Sequence, residues 1–542
     1  MENCMSWLKK INVKSELIID KIFNLIKKRF IIFMIIACVV SFCVRTILLR
    51  DSNYILIDDC YVYLRKAVEI TQGNWIPVRT QAIGWSAVLA FFFIFIPNIS
   101  VYQQMIISVV VAIGFEAATI IPIALCSKRM FKIKYSVISV LIYVAWIPRR
   151  EEFGASTGST EPLFTFLFAM CFYFILLSRD KFVYIYVAMI IGGYASITRP
   201  NGIVILFILI VCHFVVKIDK DWKKRVKTIL LASTFFFISS CPFLIERTVI
   251  FGSPFDYGAN SKLFLDDYNM VWASNITEGY SIIDYLATHS FQQLFDRFVL
   301  NGVVKILYHF IIFVIPAVLL VFFVVGTIKS MNKKRFFLSC VVVIFVSSLV
   351  PVYGIIGRSR YLMVLVPFIT ILSTSGIKSV IKREKKHSSL LKVSIITTIM
   401  ISLIYTPVSS RFSSRSDIEQ IDGIEWGNRI GNINNSVVIC TYYGATMPLI
   451  EANDTEVFNR SLGNYYSPSK NITVLVSGYF ESVTDYIIWL ESVRATHIIT
   501  DELSRQYRPF TSDLSLYSEF TLWYSNYNTT DEWKVNIYEF NQ

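Results

Sequence analysis

Apolar runs of bilayer-spanning length recur from Arg29 to about Ser409, and few folds are open to such a chain. In hydrocarbon every backbone N–H and C=O must find a partner within the protein, so runs of this kind are read as helices that cross the membrane. Hydrophobic residues make up 54% of the 542, too many for a soluble chain of this size. The first 28 residues carry Lys9, Lys10, Lys14, Lys21, Lys27 and Lys28. No small-residue cleavage site follows the first apolar run, so an uncleaved first span is expected rather than a signal peptide. The ten cysteines show no CxxC pair and no zinc spacing. Most fall inside apolar runs and read as small buried hydrophobes.

Charge is distributed unevenly. From Ser409 to Gln542, nine Lys/Arg face seventeen Asp/Glu, although the whole chain is +13. Short cytoplasmic loops of membrane proteins collect Lys and Arg, while translocated domains are not held back by acids. The basic excess is therefore topological, and no basic patch interleaved with aromatics points to nucleic acid. The expected inner segments are the N-terminus, "SKRMFKIK" (Ser127–Lys134), "SRDK" (Ser178–Lys181), "KIDKDWKKRVK" (Lys217–Lys227), "KSMNKKR" (Lys329–Arg335) and "KSVIKREKKH" (Lys378–His387).

An even number of crossings must separate any two of these. Three apolar segments, near 29–49, 83–97 and 101–126, lie between the first two, so one of them does not cross. The middle one, "IGWSAVLAFFFIFIP", is short and stops at Pro97, as a re-entrant or interfacial segment does. Further spans are expected near 135–148, 160–178, 182–198, 201–217, 228–249, 301–328, 336–356, 359–380 and 390–408. The expected fold is a polytopic α-helical membrane protein of about eleven spans, with the N-terminus cytoplasmic. Residues 1–408 form its membrane domain, and 50–100 form a first outer loop with juxtamembrane and re-entrant helices. Residues 409–542 form a small extracytoplasmic α/β domain. There, "SVVICTYY", "NITVLVSG", "ATHIITDE" and "WKVNIYEF" read as strands, and "SVTDYIIWLESV" has helical spacing.

On this path several polar clusters meet at the outer face: "IDDCY" (57–61), "PRREEFGASTGSTEP" (148–162), "TRPNG" (198–202), the loop from about 250 to 300, and "GRSRY" (357–361). Ionisable groups gathered at one membrane face are candidates for function. Each also has a plainer role. Asp58 or Asp59 would cap the helix that follows, which Gly73 closes. Tyr61, Leu64 and Val68 form an apolar stripe with Ala67 beside it, as for a helix lying on the bilayer surface with Arg65, Lys66 and Glu69 elsewhere. Glu161, followed by Pro162, suits the start of a span. Arg199, Arg358 and Arg360 would individually serve as snorkelling anchors. Together they suit a phosphate held by arginines with a carboxylate nearby. Glu116 lies about 22 Å below the outer end of its helix at 1.5 Å per residue. It reads as an internal hydrogen-bonding or lining group.

"DDCYVYLRKAVEITQGNW" resembles the first outer loop of the GT-C membrane glycosyltransferases, where an Asp-acid pair precedes Tyr, a helix and a Gly-x-Trp-like turn. The resemblance extends to "TGSTEPLFTFL" as a second acidic motif, to "ITRPNG", and to "GRSRYLMVLVPF" as an Arg-Tyr…Pro motif on a late helix. It is nearest to the protein O-mannosyltransferase-like and aminoarabinose-transferase-like branches. It implies transfer of a sugar from a polyprenyl-phosphate carrier to an acceptor hydroxyl at the outer face, with inversion. The acceptor would be a glycan, a lipid or a protein. Asp58 would be the base, Asp59 its neighbour and fallback, and Glu161 would hold sugar. Arg199, Arg358 and Arg360, with Tyr361, would bind the lipid phosphate. No cofactor is required, no metal site is assigned, and a divalent cation near Asp58 is compatible with the pattern. Asp59 stands where many relatives have Glu, and WWDxG of the oligosaccharyltransferases is absent. The implied location is the plasma membrane.

Two other readings stay open. A polysaccharide polymerase or ligase would also use outer arginines, with a polyprenyl-pyrophosphate glycan. A transporter or lipid flippase would place Glu116 in its pathway, although no internal repeat is visible.

Overall fold

A computed structural model describes residues 24–49, 60–77, 81–96, 101–146, 158–216, 221–254, 282–331, 336–355 and 359–383, with 21 and 357. Toward the C-terminus it describes 437–440, 457–459, 464–467, 472–476, 482–500, 514, 516–526 and 535–541. The expected span at 390–408 lies outside these residues.

The chain enters with α1 (Phe30–Leu49), whose Ile31, Ile35 and Val39 are exposed, as suits a lipid-facing surface. The short α2 (Cys60–Thr71) ends at Gly73, which takes a left-handed φ of +86° and so stops the helix as the sequence suggested. Its apolar stripe is not turned to the bilayer. Leu64, Ala67 and Ile70 are buried in one cluster with residues of α3 (Gly84–Ile94), and Ser86 of α3 donates to the Tyr63 carbonyl at 2.9 Å. Lys66 is also buried, bonding Glu69 and the Asn74 carbonyl, each at 2.9 Å. The surface-helix expectation is thus corrected: periodicity exposes a stripe but does not say whether lipid or protein covers it.

At eleven residues, about 16 Å of helix, α3 cannot cross a bilayer, in keeping with a re-entrant segment. Next come α4 (Val101–Ala118) and α5 (Ile120–Met130), an almost continuous pair parted at Thr119. The sequence continues with α6 (Ile133–Ala145), α7 (Glu161–Leu177) and α8 (Tyr184–Thr198). A tight 3-10 turn at Pro200–Ile203 leads into α9 (Val204–Val216). Gly202 lets this turn fold back on α8, because a Cβ there would sit 2.5 Å from the Ser196 backbone. The thirty-residue α10 (Trp222–Phe251) starts at the Asp221 cap and ends at left-handed Gly252.

The expected single span at 301–328 is broken. Short helices α11 (Ile282–Thr288) and α12 (Phe291–Phe295) precede α13 (Gly302–His309), which π-helical turns flank at 296–301 and 310–314. Ile315 is extended ahead of Pro316, and only then does α14 (Ala317–Met331) begin. The residue before a proline is pushed out of helical geometry, which is the reason for the break. Among the described residues the membrane part continues with α15 (Phe336–Ile355), a 3-10 turn at Ser359–Leu365, and α16 (Val366–Arg383). The α14–α16 crossing is very close. Gly326 and Gly376 face the opposing backbone so tightly that a Cβ at either would lie 1.9 to 2.0 Å from a carbonyl oxygen.

Five described segments are long and apolar enough to cross a membrane: Phe30–Ile47, Gln103–Met130, Trp222–Phe251, Phe336–Gly354 and Ser359–Val380. The other apolar helices have 10–17 residues. The basic turns gather at one end of this bundle. Arg129 pairs with Asp180, and Lys128 lies over Phe30 at 4.6 Å. Arg179 lies over Phe337 at 4.8 Å, and Lys378 lies over Phe131 at 5.2 Å.

Among the described residues of the C-terminal part, seven strands form one mixed sheet. They are β1 (Val437–Cys440), β2 (Val457–Asn459), β3 (Asn464–Ser467), β4 (Ile472–Val476), β5 (His497–Thr500), β6 (Phe520–Asn526) and β7 (Val535–Phe540), in the order β2-β3-β4-β1-β5-β7-β6. The helix α17 (Val483–Ser492) joins β4 to β5, and both strands pair in parallel with β1 between them. Tyr486 and Leu490 of α17 are buried with Ile439, Ile498 and Tyr538. The strand–helix–strand unit is therefore present, with a third strand inside it that sequence order conceals.

Candidate functional site

The site is built at the end of the bundle away from the basic turns, around the first residue of α7. Glu161 is 4% exposed, a depth at which a lone carboxylate would be costly. It is not alone. Its carboxylate is paired with Arg199, accepts from Ser159, and lies 3.7 Å from the Arg360 guanidinium.

Each partner arrives for a local reason. Pro200 forces the preceding residue into extended geometry, and Arg199 has φ −146° and ψ 136°. The helix α8 therefore ends at Thr198, and Arg199 leaves its axis to reach Glu161 and, at 3.2 Å, the Thr160 hydroxyl. Arg360 and Tyr361 come from the 3-10 turn between α15 and α16. Both guanidiniums lie over the Tyr361 ring, Arg199 at 5.3 Å and Arg360 at 5.7 Å. Tyr353 of α15 meets Tyr361 edge-on at 6.3 Å. Arg199 keeps 13% of its side chain exposed and Arg360 keeps 28%, so Arg360 is the guanidinium more open to an incoming anion.

The loop that delivers Ser159, Thr160 and Glu161 is pinned by α3. Gly158 takes a left-handed φ of +66°, and its carbonyl accepts from the Trp85 indole at 2.7 Å and from Ser108 at 3.2 Å. Trp85 is fully buried on α3, and α3 itself is seated against α8. Tyr194 donates to the Gly84 carbonyl at 3.0 Å, and a Cβ on Gly84 would meet Thr198 Oγ1 at 2.5 Å. Sequence reading did not single out Trp85, Ser108 or Gly158. The glycine in "TGST" was the available signal.

Of the residues expected at the site, Glu161, Arg199, Arg360 and Tyr361 are brought together. Asp58, Asp59 and Arg358 lie outside the described residues. Glu161 is engaged by the Arg199 and Arg360 guanidiniums. Among the described residues no cluster of His, Cys, Asp and Glu could hold a metal ion.

Glu116 is an internal group, as expected, but the partner was not foreseen. Its carboxylate pairs at 2.8 Å with buried Arg45 of α1. Arg45 also reaches Ser41 and the carbonyls of Tyr143 and Trp146, at 3.5 and 3.4 Å, at the C-terminal end of α6. A second buried arginine, Arg247 of α10, lies over Phe243 and Phe251 and reaches the Gln81 carbonyl at 3.5 Å, bracing the approach to α3.

No protein-family model matches the chain, and no curated protein matches its sequence. Solved structures do match its fold. The oligosaccharyltransferase AglB of Archaeoglobus fulgidus, in complex with an inhibitory peptide and a dolichol-phosphate, aligns with a TM-score of 0.58 at 14% identity. That alignment covers 94% of this chain and 74% of the other. ArnT from Cupriavidus metallidurans in the apo state aligns with a TM-score of 0.55 at 10% identity, covering 95% of this chain and 98% of that one. The likeness is one of fold, and it runs through nearly the whole chain.

Proposed function

We propose that this chain, whose fold is that of the GT-C membrane glycosyltransferases, is itself such an enzyme and moves a sugar from a polyprenyl-phosphate carrier to an acceptor hydroxyl. The observation that carries this reading is the cluster of Glu161, Arg199, Arg360 and Tyr361 at the end of the bundle opposite the basic turns. Arginines held in place by a carboxylate are suited to a phosphate leaving group, since positioned cations stabilise charge as it develops. A polyprenyl chain stays in the bilayer, so its phosphate must react at the interface. One matching structure, ArnT from Cupriavidus metallidurans, was solved with undecaprenyl phosphate, and AglB with a dolichol-phosphate.

In the proposed step Asp58 accepts the proton of the acceptor hydroxyl while that oxygen bonds to the anomeric carbon. The anomeric C–O bond breaks, and polyprenyl phosphate leaves with the electron pair onto Arg360 and Arg199, with Arg358 as a further candidate. Direct displacement inverts the anomeric centre. Asp59 adjoins the base. An archaeal oligosaccharyltransferase structure contains zinc, and a divalent cation here would look to Asp58 and Asp59 for ligands. The basic end of the bundle is the cytoplasmic side. The membrane domain ends near residue 408, and the sheet-bearing part is extracytoplasmic.

The test is transfer from a panel of radiolabelled polyprenyl-phosphate monosaccharides in native-like membranes, comparing wild type with Asp58→Asn and Arg360→Ala. Asparagine keeps a capping oxygen but cannot take the proton. Label leaving the carrier with wild type, but not with folded Asp58→Asn, is the expected result. Consumption of only an oligosaccharide-pyrophosphate donor would instead identify a polymerase or ligase, and consumption of neither would overturn the transferase reading.

A further inference from the structure

Two charged side chains inside the bundle take no part in the proposed step. Glu116 of α4 and Arg45 of α1 are both buried, and they pair at 2.8 Å. The end of α6 completes the arrangement. Arg45 reaches the Tyr143 and Trp146 carbonyls and lies over the Tyr143 ring at 5.4 Å. The Tyr143 phenol in turn donates to the Glu116 carbonyl at 3.1 Å. Three helices thus meet at one knot of directional bonds. Two buried charges lose hydration that their attraction offsets only in good geometry, so such a pair is a poor device for stability alone. Its better attested use is to fix register, because these bonds close at one setting of the helices, whereas apolar contacts tolerate a slip.

The helix whose register is fixed in this way also supports the site. Phe115, next to Glu116, meets Trp85 of α3 edge-on at 6.3 Å and lies 5.6 Å from Phe166 of α7. Ser108 stands eight residues before Glu116, about 12 Å along the helix axis, and donates to the Gly158 carbonyl at 3.2 Å. Trp85 donates to the same carbonyl at 2.7 Å. Gly158 leads directly into Ser159, Thr160 and Glu161, and α7 begins at Glu161. A slide of α4 along its axis by one residue, about 1.5 Å, would take Ser108 out of hydrogen-bond geometry.

Resting on the transferase reading, we infer that Arg45 and Glu116 are positioning residues. The pair sets the level of α4, and through Ser108 and Phe115 it places the Glu161 loop and the arginines that Glu161 engages. A pair that only stabilised the bundle would, when lost, leave the site of the folded protein unchanged, and the experiment reads the two roles apart.

The full chain is reconstituted in phosphatidylcholine nanodiscs, and binding of labelled undecaprenyl phosphate is measured at a temperature where each variant is folded. Compared are wild type, Glu116→Gln, Ser108→Ala, the double variant, and Ser127→Ala, which removes a buried bond to Ser139 at the basic end. Glu116→Gln is expected to weaken binding about fivefold or more, the scale of a coupled contact. Ser108→Ala is expected to weaken it about threefold, the scale of one hydrogen bond. Because one acts through the other, the double variant should bind no more weakly than Glu116→Gln. Ser127→Ala should leave binding unchanged. Wild-type binding by folded Glu116→Gln overturns the inference and leaves the transferase reading standing. So do additive effects in the double variant, or an equal loss in Ser127→Ala. Should Glu116→Gln not fold, Arg45→Lys, which keeps the charge but lacks the guanidinium fork, takes its place in the same cycle. Failure of wild type to bind undecaprenyl phosphate overturns the transferase reading, and this inference with it.

Discussion

Glu161 holds two arginines in a buried setting, so its removal acts first on stability. Glu161→Gln leaves Arg199 without its charge partner, and breaking a buried pair from one side costs about 3–5 kcal/mol. The expected outcome is a clear fall in the melting temperature of the detergent-solubilised chain, with Arg360 less well positioned in carrier binding. An unchanged melting temperature would mean that the pair is not formed in the folded protein. In the C-terminal sheet, burial holds the His497 imidazole below its ordinary value of 6.5, with Glu539 offsetting part of the effect. A depressed histidine favours the neutral form in the folded state, so its contribution is intact above about pH 6.5 and is lost as pH falls and the unfolded chain takes up the proton. Hydrogen exchange of β5 amides in the full chain, corrected for intrinsic rates, should show protection falling between pH 7.5 and 5.5. His497→Gln should flatten that dependence.

At the scale of elements, α3 is the support on which the site depends. Its first residue has no room for a side chain, since a Gly84 Cβ would lie 2.5 Å from Thr198 Oγ1 and 2.8 Å from the Ile197 carbonyl. Gly84→Val must push α3 off α8, at a cost of about 1–3 kcal/mol for overpacking. The shift would loosen the Trp85 bond to Gly158 and with it the loop that ends in Glu161. The measurable consequence is a loss of carrier binding larger than the loss of stability explains, and binding that follows stability alone would contradict it. That this segment is too short to cross was legible from sequence, because its apolar run stops at Pro97. The role of that segment was not legible. Trp85 and Ser108 both donate to Gly158, yet they lie 73 and 50 residues from it in the chain. No local pattern records such a pairing.

For the whole molecule, the two ends of the bundle differ in charge and in chemistry. Cysteines introduced at exposed Lys132, in a basic turn, and at exposed Trp75, after α2, should therefore label from opposite sides of the membrane. A membrane-impermeant maleimide on intact cells is expected to reach Trp75→Cys, and to reach Lys132→Cys only after permeabilisation. Labelling of both from one side would contradict the bundle as described.

The sequence by itself determined that this chain is a membrane helix bundle with a strand-rich tail. It also marked Glu161, Arg199 and Arg360 as a group, and these three do meet. These are properties of composition, run length and charge, all of which act locally or by simple parity. Proline and glycine placement also carried real information, since Pro200 sets Arg199 off the helix and Gly73 ends α2. Tertiary structure decided which groups each charge meets. Glu161 became an arginine holder, Glu116 a partner of Arg45, and Lys66 a buried group instead of a surface one. It also split the expected 301–328 span and placed β1 between β4 and β5. The physical reason is common to all of these. A charge in a low-dielectric interior takes its role from the groups that neutralise it, and those groups come from distant parts of the chain that only packing brings together.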